Sequence, residues 1–193
     1  MKYLFTLIAV LCVSTFAVAQ KADVAFTIGG SFVSDAKTVG LTTIKTDNHL
    51  FYEGTLGVRM LNAEAVSLHL ELPIAGIPSQ SITVAGVPTA LNQLSTLFIT
   101  PALKIKILPI APISPWASVG GGWARYSASN VTNNKGAVQY GGGIDFKTGL
   151  PLLGFRAEVR DFVTGDPNFG VTTSSTGLHH HNILAGGGLV LNF

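Results

Sequence analysis

The ionisable residues of this chain fall at alternate positions. Arg156, Glu158 and Arg160 are separated by single apolar or small residues, as are Lys104 and Lys106, and Glu53, Glu71, Asp145 and Lys147 stand in similarly alternating surroundings. Groups of both signs on one parity can pair with one another, line a narrow ion path, or supply the acid and base of a hydrolase. His49, His69, Asp145, Asp161 and several serines are the residue types of a hydrolase at the mouth of a barrel, but they come from separate segments that no motif joins. His179 and His181 share a parity within His179-His180-His181 and could chelate a metal, yet two ligands without a third make no zinc site. Gly120 to Gly122 and Gly141 to Gly143 lack the lysine and following helix of a phosphate cradle. No catalytic, cofactor-binding or metal site is therefore expected; the charges point to pairing.

Residues spaced by two belong on strands. From Asp23 onward this is the dominant period, and it predicts eight strands: 23–33, Asn48–Met60, Ala65–Ile74, Leu94–Ile107, Trp116–Ser127, Ala137–Lys147, Leu153–Thr164 and His180–Phe193. The connections alternate, long near 35–47, 75–93, 128–136 and 165–178, and short at 61–63, 109–115 and 148–151. Short turns at one end and long loops at the other are the habit of outer-membrane barrels, which would place both termini in the periplasm.

Composition agrees. Only 11% of residues are charged, against about 25% in an ordinary soluble domain, and 22 are glycine. After residue 20 there is no run of ~18 apolar residues to make a membrane helix. The formal net charge of +2 leaves no basic stripe, so no nucleic-acid partner is expected. Residues 1–19 read as a secretory signal peptide, with Lys2, an apolar stretch from Leu4 to Val18, and small residues Ala17 and Ala19 before the cleavage point. A membrane anchor is the rival reading, but the run is short. Cys12 lies inside this segment, and Ala9 stands where a lipoprotein signal wants Leu, so 20–193 forms one barrel domain without disulfides.

Parity sets the sidedness. Glu53, Arg59, Glu71, Lys104, Lys106, Asp145, Lys147, Arg156, Glu158 and Arg160 all oppose the apolar parity of their strands, whereas Asp161 and Arg125 are exceptions near the loop end. Lys or Arg facing mid-membrane lipid costs ~2–4 kcal/mol, so the charged parity faces inward. A soluble sandwich or lipocalin-like barrel would reverse the sides, but its surface would be richer in Lys and Glu. In an eight-stranded barrel the side chains Glu53, Glu71, Lys104, Asp145, Arg156, Glu158 and Arg160 would fill the lumen. Outward Phe32, Tyr52 and Tyr140 toward the loop end, and Phe146, Phe155 and Phe193 toward the other, would form interfacial belts that Trp116 and Trp123 could join.

The last strand, Gly186-Gly187-Gly188-Leu189-Val190-Leu191-Asn192-Phe193, resembles the outer-membrane insertion signal; Gly188, Leu191 and Phe193 match it, while Gly186 departs from the usual polar residue. With Trp116 to Gly122 and Gly154 to Arg160, the chain looks like the OmpA/OmpX-like family of small outer-membrane β-barrels. That resemblance implies an all-β, eight-stranded, antiparallel up-and-down transmembrane barrel in the bacterial outer membrane, recognised through Phe193 by the barrel-assembly machinery. Its partners would be outer-membrane lipid and an extracellular molecule met by loops 35–47, 75–93 and 165–178. The family has no single activity. Non-enzymatic structural or surface-interaction work is the expected role, with a small passive pore and a rim-located enzyme as alternatives. No peptidoglycan-binding domain is expected after Phe193.

Overall fold

A computed structural model describes residues 21–33, 36–37, 43–46, 48–80, 82–84, 87–88, 94–128, 131–150, 152–165 and 180–193. The expected signal segment, with Ala17 and Ala19, lies outside these residues, as do His179 and much of the long connections.

Eight strands follow one another around a cylinder: β1 (Ala22–Val33), β2 (His49–Asn62), β3 (Val66–Gln80), β4 in two pieces (Leu94–Ile99 and Ala102–Ile107), β5 (Ile113–Ala128), β6 (Val131–Lys147), β7 (Leu153–Thr164) and β8 (His180–Asn192). Each pairs antiparallel with its chain neighbours, and β8 returns to β1 with Asp23 opposite Asn192 and Val33 opposite Asn182. That seam closes the sheet, so every strand has a partner on both sides. A closed barrel is the one all-strand solution that leaves no backbone edge unpaired in lipid. The end holding Ala22, Phe193 and the short turns is called the base here, and the opposite end the rim. At the rim, the short strands 36–37, 43–46, 82–84 and 87–88 pair into a separate four-stranded sheet joining the first two long connections.

Burial follows the two-residue period. Leu103 and Val159 are each 51% exposed on the outer wall, whereas Arg156 and Arg160, on the inward parity, are 2% and 0% exposed. This inverts a soluble protein and removes the lipocalin-like alternative. Among the described residues no helix is long and apolar enough to cross a membrane, as a strand-built wall requires none.

Several expected boundaries move. The prolines and glycines from Ala75 onward predict a loop, yet β3 continues to Gln80, pairing Ile74 to Ile77 with Ile99 to Thr96. Pro78 is accommodated at a register shift between Ile77 and Gln80, where a ladder N–H is dispensable. The supposed loop 128–136 is instead a hairpin: Asn133, Asn134 and Lys135 pair with Tyr126, Arg125 and Ala124. Its tip is polar on both faces because it projects past β7, where Ala137 already meets Thr164. β4 is broken at Thr100-Pro101, between its two pieces. Lys147, assigned inward by parity, lies exposed at the base and donates from Nζ to the Pro109 carbonyl.

Candidate functional site in the barrel lumen

The inward side chains form three tiers. Nearest the base, Arg156 on β7 grips Asp145 on β6 with both ends of its guanidinium, Nε to Oδ1 at 2.7 Å and Nη2 to Oδ2 at 3.0 Å. Lys106 on β4 binds the same carboxylate. Lys104 reaches Glu71 Oε2 at 3.1 Å and Asp23 Oδ1 at 3.4 Å, and His69 Nδ1 lies 3.4 Å from Asp23 Oδ2.

The middle tier centres on Arg160. It contacts Glu53 at 3.0 Å, Glu71 at 2.7 Å and Glu158 at 3.2 Å, and Nη1 donates to Ser118 Oγ at 3.1 Å. Glu71 belongs to both tiers and joins them. Trp116 stands between the tiers on β5: its Nε1–H donates to Asp145 Oδ1 at 3.1 Å, and Lys104, Arg156 and Arg160 lie 5.6, 5.1 and 4.9 Å from its ring. The ring faces offer electron density to cations already held by carboxylates. Gly143 leaves the space it needs, since a Cβ there would collide with the indole and the Ala157 carbonyl.

Toward the rim the character changes. Phe51, Ile77, Phe98, Phe162 and Leu184 converge from five strands into an apolar plug, all essentially unexposed. Phe98 stacks on Phe162 with centroids 4.6 Å apart and meets Tyr126 edge-on at 6.4 Å. Above it, the Tyr126 hydroxyl lies 2.6 Å from Thr164 Oγ1, and Thr96 Oγ1 donates to Gln80 Oε1 at 3.2 Å.

A mixed-sign network buried this way stands or falls as a unit. Desolvating each ion is costly, and the cost is offset only while the partners stay in place. The apolar plug adds a second constraint. An ion travelling along the axis would have to shed water against phenyl rings, and nothing in that tier replaces its hydration.

The structure gathers Glu53, Glu71, Lys104, Asp145, Arg156, Glu158 and Arg160 into this single network. Of the two tryptophans that could join an outer belt, Trp116 points inward and Trp123 is outward. Two further members were missed: Asp23, which shares the parity of Ala25 and Thr27, and the apolar plug, whose Phe51, Phe98 and Phe162 sit on strand parities that elsewhere carry charge. Parity reports only the side on which a residue lies; which inward residues meet depends on register.

The other segments singled out lie elsewhere. Leu191 and Phe193 are exposed at the base, where the Phe193 N–H donates to the Ala22 carbonyl at 2.8 Å. Gly188 faces Thr27 across the closing seam, and a Cβ there would strike the Phe26 carbonyl. Gly188→Ala is accordingly expected to lower the urea midpoint of barrel refolded in detergent, where no assembly machinery is present. An unchanged midpoint would leave Gly188 with no packing role. On the outer wall, Asp161 Oδ2 accepts from the Tyr140 hydroxyl at 2.6 Å and lies 2.6 Å from His181 Nδ1. This shields the carboxylate that parity had left facing lipid. Among the described residues no Ser or Thr hydroxyl bonds that imidazole, and no group of three His, Cys, Asp or Glu is arranged to hold a metal.

No protein-family model and no curated protein matches the chain. Solved structures do. The outer membrane protein OprG from Pseudomonas aeruginosa aligns with a TM-score of 0.59 at 12% identity, over 91% of this chain and 96% of that one. Neisserial surface protein A gives 0.55 at 9% identity, over 91% and 99%. The outer membrane enzyme PagL gives 0.47 at 12% identity, over 86% and 97%. A fold by itself assigns no activity. What geometry and comparison share is the architecture: this chain has the closed eight-stranded antiparallel fold of the small outer-membrane barrels.

Proposed function

We propose that the protein is an integral, non-enzymatic component of the bacterial outer membrane, a plugged barrel that presents its rim connections to the outside rather than a conduit. The observation that carries this reading is the pairing of an apolar outer wall with a lumen filled first by ion pairs and then by phenyl rings. In this reading residues 1–19 are removed on export, Gly188, Leu191 and Phe193 engage the barrel-assembly machinery, and the base faces the periplasm. The rim connections at 35–47, 75–93 and 165–178 would meet an extracellular partner, with 75–80 excluded because those residues build the wall.

The test combines two measurements on one refolded sample. A folded barrel should migrate faster than its boiled form on a detergent gel, and the same material should be electrically silent in planar bilayers. Stable single-channel steps would favour the passive pore. Replacing residues 82–92 by a short Gly/Ser linker should preserve the gel shift, because β3 and β4 remain whole.

A further inference from the structure

On the outer wall β2, β3, β4 and β5 meet near the rim. There a groove of about 460 Å³ opens, bounded by Tyr52, Gly76, Pro78, Leu97 and Arg125. Register explains it. Tyr52 pairs with Gly76, Gly76 with Leu97 and Leu97 with Arg125, so these residues form one outward row across four strands. In that row Gly76 contributes no side chain, and a Cβ added there would meet nothing within 4 Å. The same holds for Gly54, its diagonal neighbour one pleat toward the base. Between Tyr52 on one flank and Leu97 with Arg125 on the other, the two glycines leave a bare backbone trough.

Arg125 gives the trough a polarity. It is an outward, exposed cation one pleat above Trp123, an exposed indole of the kind that settles at the membrane interface. Its guanidinium therefore stands at headgroup height. Ser95 and Ser127, paired one pleat farther toward the rim, also line the groove. Among the described residues no carboxylate forms an ion pair with Arg125. A cation at headgroup level above a chain-wide apolar trough is complementary to an amphiphile with a phosphate at its head and an acyl tail below.

We propose that this groove holds one anionic, phosphate-bearing lipid of the surrounding leaflet, its phosphate on Arg125 and its acyl chain lying over Gly76 and Gly54. Guanidinium forks match phosphate oxygens. The proposal rests on the membrane placement argued above, and its test reads the two separately. Barrel is reconstituted into phosphatidylcholine vesicles containing a minor fraction of phosphatidylglycerol, floated to score insertion, then extracted into mild detergent for native mass spectrometry. Wild type should float and retain one phosphatidylglycerol per barrel in preference to phosphatidylcholine.

Arg125→Gln should cut that preference by about five-fold, the order of one cation at a membrane surface. Gly76→Trp should abolish retention by filling the trough, while keeping the gel shift of a folded barrel. Glycerophosphate, a headgroup without tails, should not displace the lipid. Equal retention of both lipids, or retention indifferent to both substitutions, would overturn the groove while leaving insertion untouched. Displacement by glycerophosphate would overturn the acyl-chain assignment, and failure to float would sink the membrane placement itself.

Discussion

Arg160→Met is expected to destabilise the folded barrel by about 3–5 kcal/mol, the range found when one partner of a buried ion cluster is removed. Methionine keeps much of the volume, so packing loss is small. What disappears is the one guanidinium that touches Glu53, Glu71 and Glu158, at 3.0, 2.7 and 3.2 Å. Lys104 still holds Glu71, but Glu53 keeps only the Thr55 hydroxyl and Glu158 loses its cation, both buried. Urea titration of refolded protein, followed by the gel shift, measures the loss. Trp116 fluorescence should change in the folded state as well, because the guanidinium lies 4.9 Å from the ring. Adding Glu53→Gln to Arg160→Met should return part of the stability, since one uncompensated charge is then gone. A loss below about 1 kcal/mol, the size expected for an exposed pair, would mean that the middle tier is hydrated and that its ions matter little to the fold.

The second large effect concerns the plug. Phe98→Ala removes the ring that stacks on Phe162 and meets Tyr126, at a fully buried position. The expected cost is about 3–5 kcal/mol, as for other buried Phe truncations. Phe26→Ala, at an outward residue 55% exposed on the wall, serves as the comparison and should cost less, since no internal cavity forms. The functional expectation is sharper than the energetic one. The double variant Phe98→Ala/Phe162→Ala opens the apolar tier to water from the rim and exposes the charged tiers beneath. Protein of this kind that still shows the gel shift should produce conductance steps where wild type is silent. A silent double variant would leave the paired charges beneath as the barrier, and a conducting wild type would show that neither tier closes the lumen.

Much of the wall is legible in the sequence. Lipid penalises a misplaced Arg or Lys so heavily that Arg156 and Arg160 declare their side by parity alone, and Leu103 and Val159 declare the other. The strands on either side of the 148–151 turn are legible because Asp145 and Lys147 on one, and Arg156, Glu158 and Arg160 on the other, alternate with apolar or small residues. Legibility failed where the environment stops distinguishing two faces. Asn133, Asn134 and Lys135 extend a hairpin in which neither face is apolar, and their composition reads as loop. Pro78 failed for another reason: a proline argues against a strand unless the ladder has a register shift to receive it, and that shift is created by β4.

Sequence by itself determined the period, the inward or outward side of the charged strands, and so the class of environment, because those follow from the energy of single residues against lipid. Tertiary structure decided who meets whom. That Arg160 gathers three carboxylates, that Trp116 turns inward among three cations, that Phe51, Phe98 and Phe162 form one apolar tier, and that Gly76 falls in one row with Tyr52, Leu97 and Arg125 all depend on the stagger of neighbouring strands. Stagger is set by closing the sheet from β8 back to β1, a condition satisfied by the whole cylinder at once and by no segment alone.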